Sequence, residues 1–458
     1  MRRNWSVCLL VVGLGSSVSA PAEPVLLISI DGLHPRYVIE ADQLGLKIPS
    51  LRSFVSDGAY ASGVVGVVPT ITYPSHTTMV TGVAPEQHGI TSNTTFDPLA
   101  KNHDGWFWYA EDIKVPTLWT AAAVAGLTTA SVNWPVTVGE QHIQYLLPEY
   151  WRTSAPDDLK LLRALSRPEG ALEDMEQELG PFVDGYTDTV GSDRIRTRFT
   201  LAILREQRPE LMATHLIALD GIEHRDGPFV TSSYETLEAL DGMIGELTAA
   251  AMANDPSAVV AIVSDHGFIA THTAVNLRSS FVDAGLIELA EPLSPYTVPP
   301  ISSWDAQIWP GAAVGAIVLR DREDRDVRDR VAALLADLQA DSRNGIAHVL
   351  TAPELAASGG FPEADFLEEF APGFYLGSAL RGDLLTRATS KGTHGYLPER
   401  PEMHAAFFIK GRGIAAARNL GVIDMRQIAP TLAAVLGVEL NTAHEPALPV
   451  GVLPHRIH

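Results

Sequence analysis

The run PVLLISI-DG, residues 24–32, is an almost unbroken apolar segment that stops on Asp31 and Gly32. Two later segments repeat its form: THLIAL-DG at 214–221 and AVVAIV-SDHG at 258–267. Short runs of Val, Ile and Leu without polar alternation suit strands buried on both faces, as in a parallel sheet covered by helices. In open α/β sheets, ligands gather at the carboxyl ends of the strands. One aspartate after one strand is ordinarily a turn former or a helix N-cap. Three in matching positions, Asp31, Asp220 and Asp265, predict one shared site.

The surrounding sequence supplies the covering layers. Helical patterns are expected at 116–125, 192–206, 233–254, 321–340 and 424–436, and a further buried strand at 405–409. In 321–340 charges crowd the first half, while Val327, Val331, Leu334, Leu335 and Leu338 form an apolar stripe. Pro and Gly concentrate at 291–311 and 358–382, which read as loops over the core. The fold class is therefore α/β with a mostly parallel central sheet, and residues 270–390 have room for a smaller capping insertion. Ligand candidates spread from Asp31 to His394 must meet at one site, which argues for one catalytic domain over 21–458.

Residues 1–20 read as a secretory signal peptide. They have a basic start at Arg2 and Arg3, an apolar stretch too short for a membrane span, and Val18-Ser19-Ala20 as small cleavage residues. The expected location is exported, periplasmic or secreted, with no membrane span after cleavage. Cys8 is the sole cysteine and leaves with the signal, so the mature chain has no disulfide, thiolate nucleophile or thiolate ligand. The formal charge of −22 argues against a nucleic-acid coat protein and an anionic-membrane binder. An anionic substrate would need a local reversal of that field. The oligomeric state is not encoded in any of these features.

Five segments carry the chemistry: Ile30-Asp31-Gly32, Pro69 through His76 (PTITYPSH), Asp220-Gly-Ile-Glu-His224, Ser264-Asp-His-Gly267 and Thr393-His-Gly-Tyr396. Carboxylate and imidazole ligands suit Zn²⁺ and similar divalent ions. Asp31, Asp265 and His266 with a hydroxyl could hold one metal ion, and Asp220, His224 and His394 a second. Two such ions clamp the attacking and leaving oxygens of an in-line phosphoryl displacement, and they supply positive charge. A hydroxyl beside a divalent cation can act as a nucleophile near neutral pH. The residues alone leave Thr70, Thr72 and Ser75 as candidates for it. His34, His76, His88, His142 and His272 are read as structural, with His272 the nearest rival.

Together these segments resemble the alkaline phosphatase superfamily, and within it the nucleotide pyrophosphatase/phosphodiesterase family. Thr72-Tyr73-Pro74-Ser75-His76 is similar to that family's T-F-P-N-H nucleophile segment, and the likeness runs through Val80-Thr81-Gly82, Pro85 and His88-Gly89-Ile90 to Asn93. Asn133-Trp134-Pro135 and residues 403–411 resemble later family segments. The resemblance implies an alkaline-phosphatase-like three-layer α/β/α core and two divalent metal ions, most often Zn²⁺. It implies Thr72 as nucleophile and metal ligand, and Asn93 with the Thr72 backbone as the binder of a phosphate oxygen. It implies Tyr73 as an aromatic that stacks on a nucleobase or leaving group, where core packing is an equal alternative. It implies Asp31, Asp220, His224, Asp265, His266 and His394 as the metal ligands.

Two departures touch the substrate rather than the ligand set. Glu223 stands where the family pattern D-x-x-G-H has Gly, either as a partner for His224 or pointing outward, and Ser75 replaces Asn. Threonine-dependent monoesterases of the superfamily carry a Lys-x-Arg pair after the Asn. Here Lys101, Lys114 and Lys160 all lack an Arg two residues on. That favours a phosphodiester or pyrophosphate substrate of nucleotide type, cleaved through a phospho-threonine intermediate. A phosphonoacetate hydrolase or alkaline phosphomonoesterase is the enzyme alternative. A non-catalytic periplasmic binding protein or pseudoenzyme is the alternative of another class.

Overall fold

The computed structural model describes residues 23–451 except 103–104, 152–155, 183–186, 293 and 295–296. The expected signal peptide lies outside these residues. Eight strands form the central sheet. Their spatial order is Arg418–Asn419, Ala59–Tyr60, Phe407–Gly411, Val259–Val263, Val25–Ile30, Leu211–Leu216, Thr129–Val132 and Tyr145–Leu147. Val25–Ile30 is central and pairs in parallel with Leu211–Leu216 on one side and Val259–Val263 on the other. Phe407–Gly411 is antiparallel to both of its neighbours. The sheet is thus mostly parallel, as the apolar runs predict.

Alternation along the strands divides the core between two helical layers. Leu26, Ile28 and Ile30 face the helices Val190–Gln207 and Thr231–Asn254, packing with Phe199, Leu240, Ile244 and Leu247. Val25 and Leu27 face the other layer, with Trp119 from the helix Leu118–Val124 and Leu432 and Leu436 from the helix Ile428–Leu436. This is a three-layer α/β/α arrangement. The expected helix at 116–125 begins later because the Thr117 hydroxyl caps it by accepting from the Thr120 N–H, which leaves Pro116 outside. Asp424 likewise caps a short 3₁₀ turn, Met425–Gln427, ahead of the last helix.

Two expectations about the chain between 270 and 390 need correction. Residues 291–311 and 358–382 are not simply loops. They contribute the strands Ile301–Trp304, Ala306–Pro310, Phe366–Phe370 and Phe374–Leu376. Ala306–Pro310, Val314–Leu319, Phe366–Phe370 and Ile346–Thr351 build a four-stranded antiparallel sheet. The helix Arg325–Ala340 covers it through Val327, Val331 and Leu335. Pro310 and Gly311 end a strand rather than lie within one, so their presence does not exclude the ladder before them. Among the described residues no helix is long and apolar enough to cross a membrane.

Candidate metal centre

Asp31 directly follows the central strand, and its N–H bonds the Leu216 carbonyl of the neighbouring strand at 2.9 Å. Gly32 then turns the chain at φ +75°, a conformation that favours glycine. A Cβ there would stand 2.8 Å from the Phe268 ring and 3.0 Å from Glu223 Oε2. The turn aims the Gly32 N–H at Asp265 Oδ1, 3.1 Å away, and the His266 N–H reaches the same oxygen at 3.1 Å. One oxygen of Asp265 is therefore held by backbone, and Oδ2 faces inward.

Two groups of side chains converge there. Asp31, Asp265 and His266 each offer a ligand atom within 4.8 Å of the others, and so do Asp220, His266 and His394. His266 Nε2 is 3.1 Å from Asp265 Oδ2 and 3.5 Å from Asp31 Oδ1. The His266 and His394 rings stack at 3.6 Å with 6° between their planes. His394 Nε2 and His224 Nε2 lie 3.8 and 3.4 Å from Asp220 Oδ1. The other ring nitrogens of these two histidines face carbonyls, Thr70 O for His394 and Gly392 O for His224. Those contacts fix the tautomers and turn both Nε2 atoms toward Asp220. His266 thus belongs to both compact groups, where the sequence placed it in one, and His224 joins the second through Asp220.

Asp220 differs from its expected placement at a strand end. The strand Leu211–Leu216 stops earlier, and Asp220 stands in the first turn of the helix Ala218–Asp226. The helix makes 220 and 224 neighbours on one face. Glu223 takes neither expected role. It is fully buried, and its Oε1 accepts the Tyr37 hydroxyl, which also receives the Phe229 N–H.

A cation fits this donor set. Asp31 Oδ1, Asp220 Oδ1, Asp265 Oδ2 and both ring nitrogens of His266 are buried without a hydrogen-bond partner. Groups so placed are costly unless something compensates them. Burial, followed by the charges of Asp265 and Asp220, pushes the Asp31 carboxyl well above its ordinary range. Burial acts the same way on Asp265, but His266, His76 and His215 outweigh it and hold that carboxyl ionised. Burial, then His266 and His224, hold His394 neutral, the form that ligates metals.

Thr72 opens the helix Thr72–Thr81, with Ile71 at its N-cap. The Tyr73 N–H donates to Asn93 Oδ1 at 2.8 Å, so the Asn93 NH₂ is left to donate elsewhere. Tyr73 is fully buried against Trp106 and Trp108, at ring distances of 5.1 and 6.1 Å, which is a packing role. Beside Asp220 and His224 lies a cavity of about 520 Å³, lined by Asp188, Gly221, Arg225 and Ser390 among others.

Sequence reasoning missed the support behind the cluster. His215 Nε2 is 3.1 Å from Asp31 Oδ2, and its ring lies 4.3 Å from that of His76. His76, read as merely structural, places Nδ1 2.8 Å from Thr72 O and Nε2 2.8 Å from Ser29 Oγ. The register that pairs Ser29 with His215 brings these groups together. A histidine inside a fully buried strand, Leu211–Leu216, is the available signal. Burial also pushes the Glu149 carboxyl up to about 7, where Trp151 Nε1–H donates to it at 3.2 Å. His34 and His88 bond Pro401 O and Thr78 Oγ1, and His272 is exposed, outside the cluster.

Comparison with known proteins gives the chain's family and its fold. The family model for type I phosphodiesterase / nucleotide pyrophosphatase matches residues 25–397. Human ectonucleotide pyrophosphatase/phosphodiesterase family member 1 is 25% identical over 235 residues, which is 49% of this chain and 21% of that protein. The bovine bis(5'-adenosyl)-triphosphatase ENPP4 is 30% identical over 148 residues, 31% of each chain. The matches therefore span less than a third of these curated relatives' length. The structure of murine ectonucleotide pyrophosphatase/phosphodiesterase 5, an inactive variant in complex with AMP, superposes with a TM-score of 0.64 at 18% identity. It covers 93% of this chain and 97% of the other. At that identity the likeness speaks to the fold.

Proposed function

The chain belongs to the type I phosphodiesterase / nucleotide pyrophosphatase family, and from that premise we propose that it is a hydrolase that cleaves phosphodiester or pyrophosphate bonds of nucleotide-type substrates through a covalent threonine intermediate. The observation that carries this reading is the pair of ligand groups that share His266, linked to Thr72 through His76, whose Nδ1 lies 2.8 Å from the Thr72 carbonyl and 3.8 Å from Asp265 Oδ2. Asp31, Asp265, His266 and Thr72 would hold one divalent ion, and Asp220, His224 and His394 the other, with Zn²⁺ the best match to three carboxylates and three imidazoles. When bound, two such ions neutralise phosphoryl charge and lower the proton affinity of nearby hydroxyls.

The chain's own groups do the rest. Thr72 Oγ, at the start of its helix, would be the attacking atom, and His76 braces the Thr72 carbonyl. The Asn93 NH₂ donates to a non-bridging phosphate oxygen, as an oxyanion donor does. In the first step the Thr72 Oγ–P bond forms as the bond to the leaving oxygen breaks. In the second, water displaces Thr72 Oγ and releases the phosphorylated product. The absence of a Lys-x-Arg pair between Asn93 and Asp220 supports the substrate with one fewer negative charge. The four-stranded sheet with its covering helix is proposed as a cap on the catalytic core. The pattern of residues 1–20 supports an exported protein.

Metal analysis with paired rates on p-nitrophenyl thymidine monophosphate and p-nitrophenyl phosphate tests the proposal. Bound metal and faster diester cleavage are expected. Faster monoester cleavage would move the chain to phosphatase chemistry. No turnover and no bound metal would leave a binding protein.

A further inference from the structure

A cavity of about 220 Å³ lies against the segment that follows Asn93, with Thr94, Phe96, Asp97, Trp106, Trp309 and Arg278 in its walls. Arg278 comes from the helix Leu277–Asp283, within the stretch that carries the antiparallel sheet. Its Nη2 donates to the Ile308 carbonyl at 2.9 Å, and its buried Nε–H has no partner. Among the described residues it makes no ion pair. Asp97 attracts it but stands outside ion-pair contact, and Asp97 Oδ2 already accepts the Asn102 N–H. A desolvated guanidinium without a carboxylate is unfavourable, and its planar fork of donors matches an oxyanion.

The cavity adjoins the candidate catalytic residues. Thr94 is the next residue after Asn93, and its carbonyl accepts the Trp309 indole N–H at 2.8 Å. Ser92 Oγ donates to the Pro310 carbonyl at 3.1 Å. Trp106 lies 5.1 Å from Tyr73, the residue whose N–H Asn93 holds. Both sides of Asn93 are therefore tied to the walls of this cavity.

We propose that the Arg278 cavity is a second phosphoryl subsite, which takes the distal phosphate of a nucleoside polyphosphate while the scissile phosphorus sits at Thr72. It rests on the family reaction proposed above and adds that the substrate extends past one phosphate. Trp106, Phe96 and Trp309 shield the ion pair so formed, and shielding strengthens it.

The test compares wild type, Arg278→Met and Arg278→Lys on ATP and on p-nitrophenyl thymidine monophosphate, which has no distal phosphate. The ratio of kcat/KM for ATP to that for the aryl ester should fall about tenfold or more in Arg278→Met, chiefly through KM. Arg278→Lys, a point charge without the fork, should fall between. An unchanged ratio overturns the proposal. Inorganic phosphate titrated against tryptophan fluorescence reads the cavity without turnover, because Trp106 and Trp309 line it. A saturable response that Arg278→Met loses supports the subsite. The same response in both proteins, or in neither, removes it. If wild type cleaves neither substrate, the family reaction is what failed, and the titration still decides the subsite. Arg278→Lys serves for it should Arg278→Met not fold.

Discussion

His215 Nε2 and Asp31 Oδ2 lie 3.1 Å apart, which engages one oxygen of Asp31 and leaves Oδ1 facing the ligand cluster without a partner. His215 is fully buried on the strand Leu211–Leu216. A donor behind a ligating carboxylate sets its orientation, and losing such a partner typically costs about 10–100-fold in metal affinity. Chelator competition should show that loss in His215→Phe, with Gln at 215 retaining part of the affinity through its amide donor. Equal zinc affinity in His215→Phe and wild type would refute the orienting role.

Thr72→Ala should lower turnover of p-nitrophenyl thymidine monophosphate by about 10³-fold or more, as loss of a nucleophile does. Its metal content and melting temperature should stay near wild type, because Asp31, Asp265 and His266 remain. Near-normal turnover would pass the nucleophile role to another hydroxyl.

Removing metal should abolish activity and lower stability together. A free ion concentration about 100 times the dissociation constant contributes about 2.7 kcal/mol, and here the ion would also offset the charge of buried Asp31 and Asp265 and partly buried Asp220. Dialysis against a chelator should lower the melting temperature, and added Zn²⁺ should restore both properties. Retained activity in metal-free protein would contradict the donor-set argument.

Gly32→Ala meets a positive φ and the Phe268 ring at once. A loss of about 1–3 kcal/mol is expected from backbone strain and displacement of the aromatic ring. Urea unfolding measures the stability term. Turnover should fall too, since the Gly32 N–H positions Asp265.

Glu368 predicts a pH dependence remote from the site. It is buried in the strand Phe366–Phe370, both its oxygens lack partners, and burial raises its carboxyl to about 8 from an ordinary 4.5. The folded state therefore binds the proton more tightly than the unfolded chain. That contribution is complete below about pH 4.5 and is lost as pH rises through about 8. Denaturant unfolding between pH 5 and pH 9 should show Glu368→Gln losing less stability than wild type. Parallel curves would place the slope elsewhere.

The parallel core was legible because strands buried on both faces cannot carry polar alternation, so the runs at 24–30 and 258–263 stand out. The convergence of Asp31, Asp265 and His266 followed, since ligands at adjacent strand ends meet once the strands pair. The antiparallel sheet is hidden in the sequence, because Pro310 and Gly311 punctuate its strands and have the pattern of a loop. Asp220 read as a strand end because THLIAL has no break, yet the ladder ends at Leu216 and a helix starts at Ala218. His215 was lost inside the same run. Its partners, Asp31 and His76, are set by register across strands and by the helix above, and neither is written locally.

The position of the first strand also governs how the chain can be made. Val25 pairs with Leu211 and with Val259, so an early-synthesised segment has no sheet partner until the ribosome has passed the middle of the chain. At about 5–20 residues per second that wait lasts on the order of ten seconds or more. Throughout it Val25–Ile30 stays without the two sheet neighbours that bury it, an apolar segment open to other apolar surfaces.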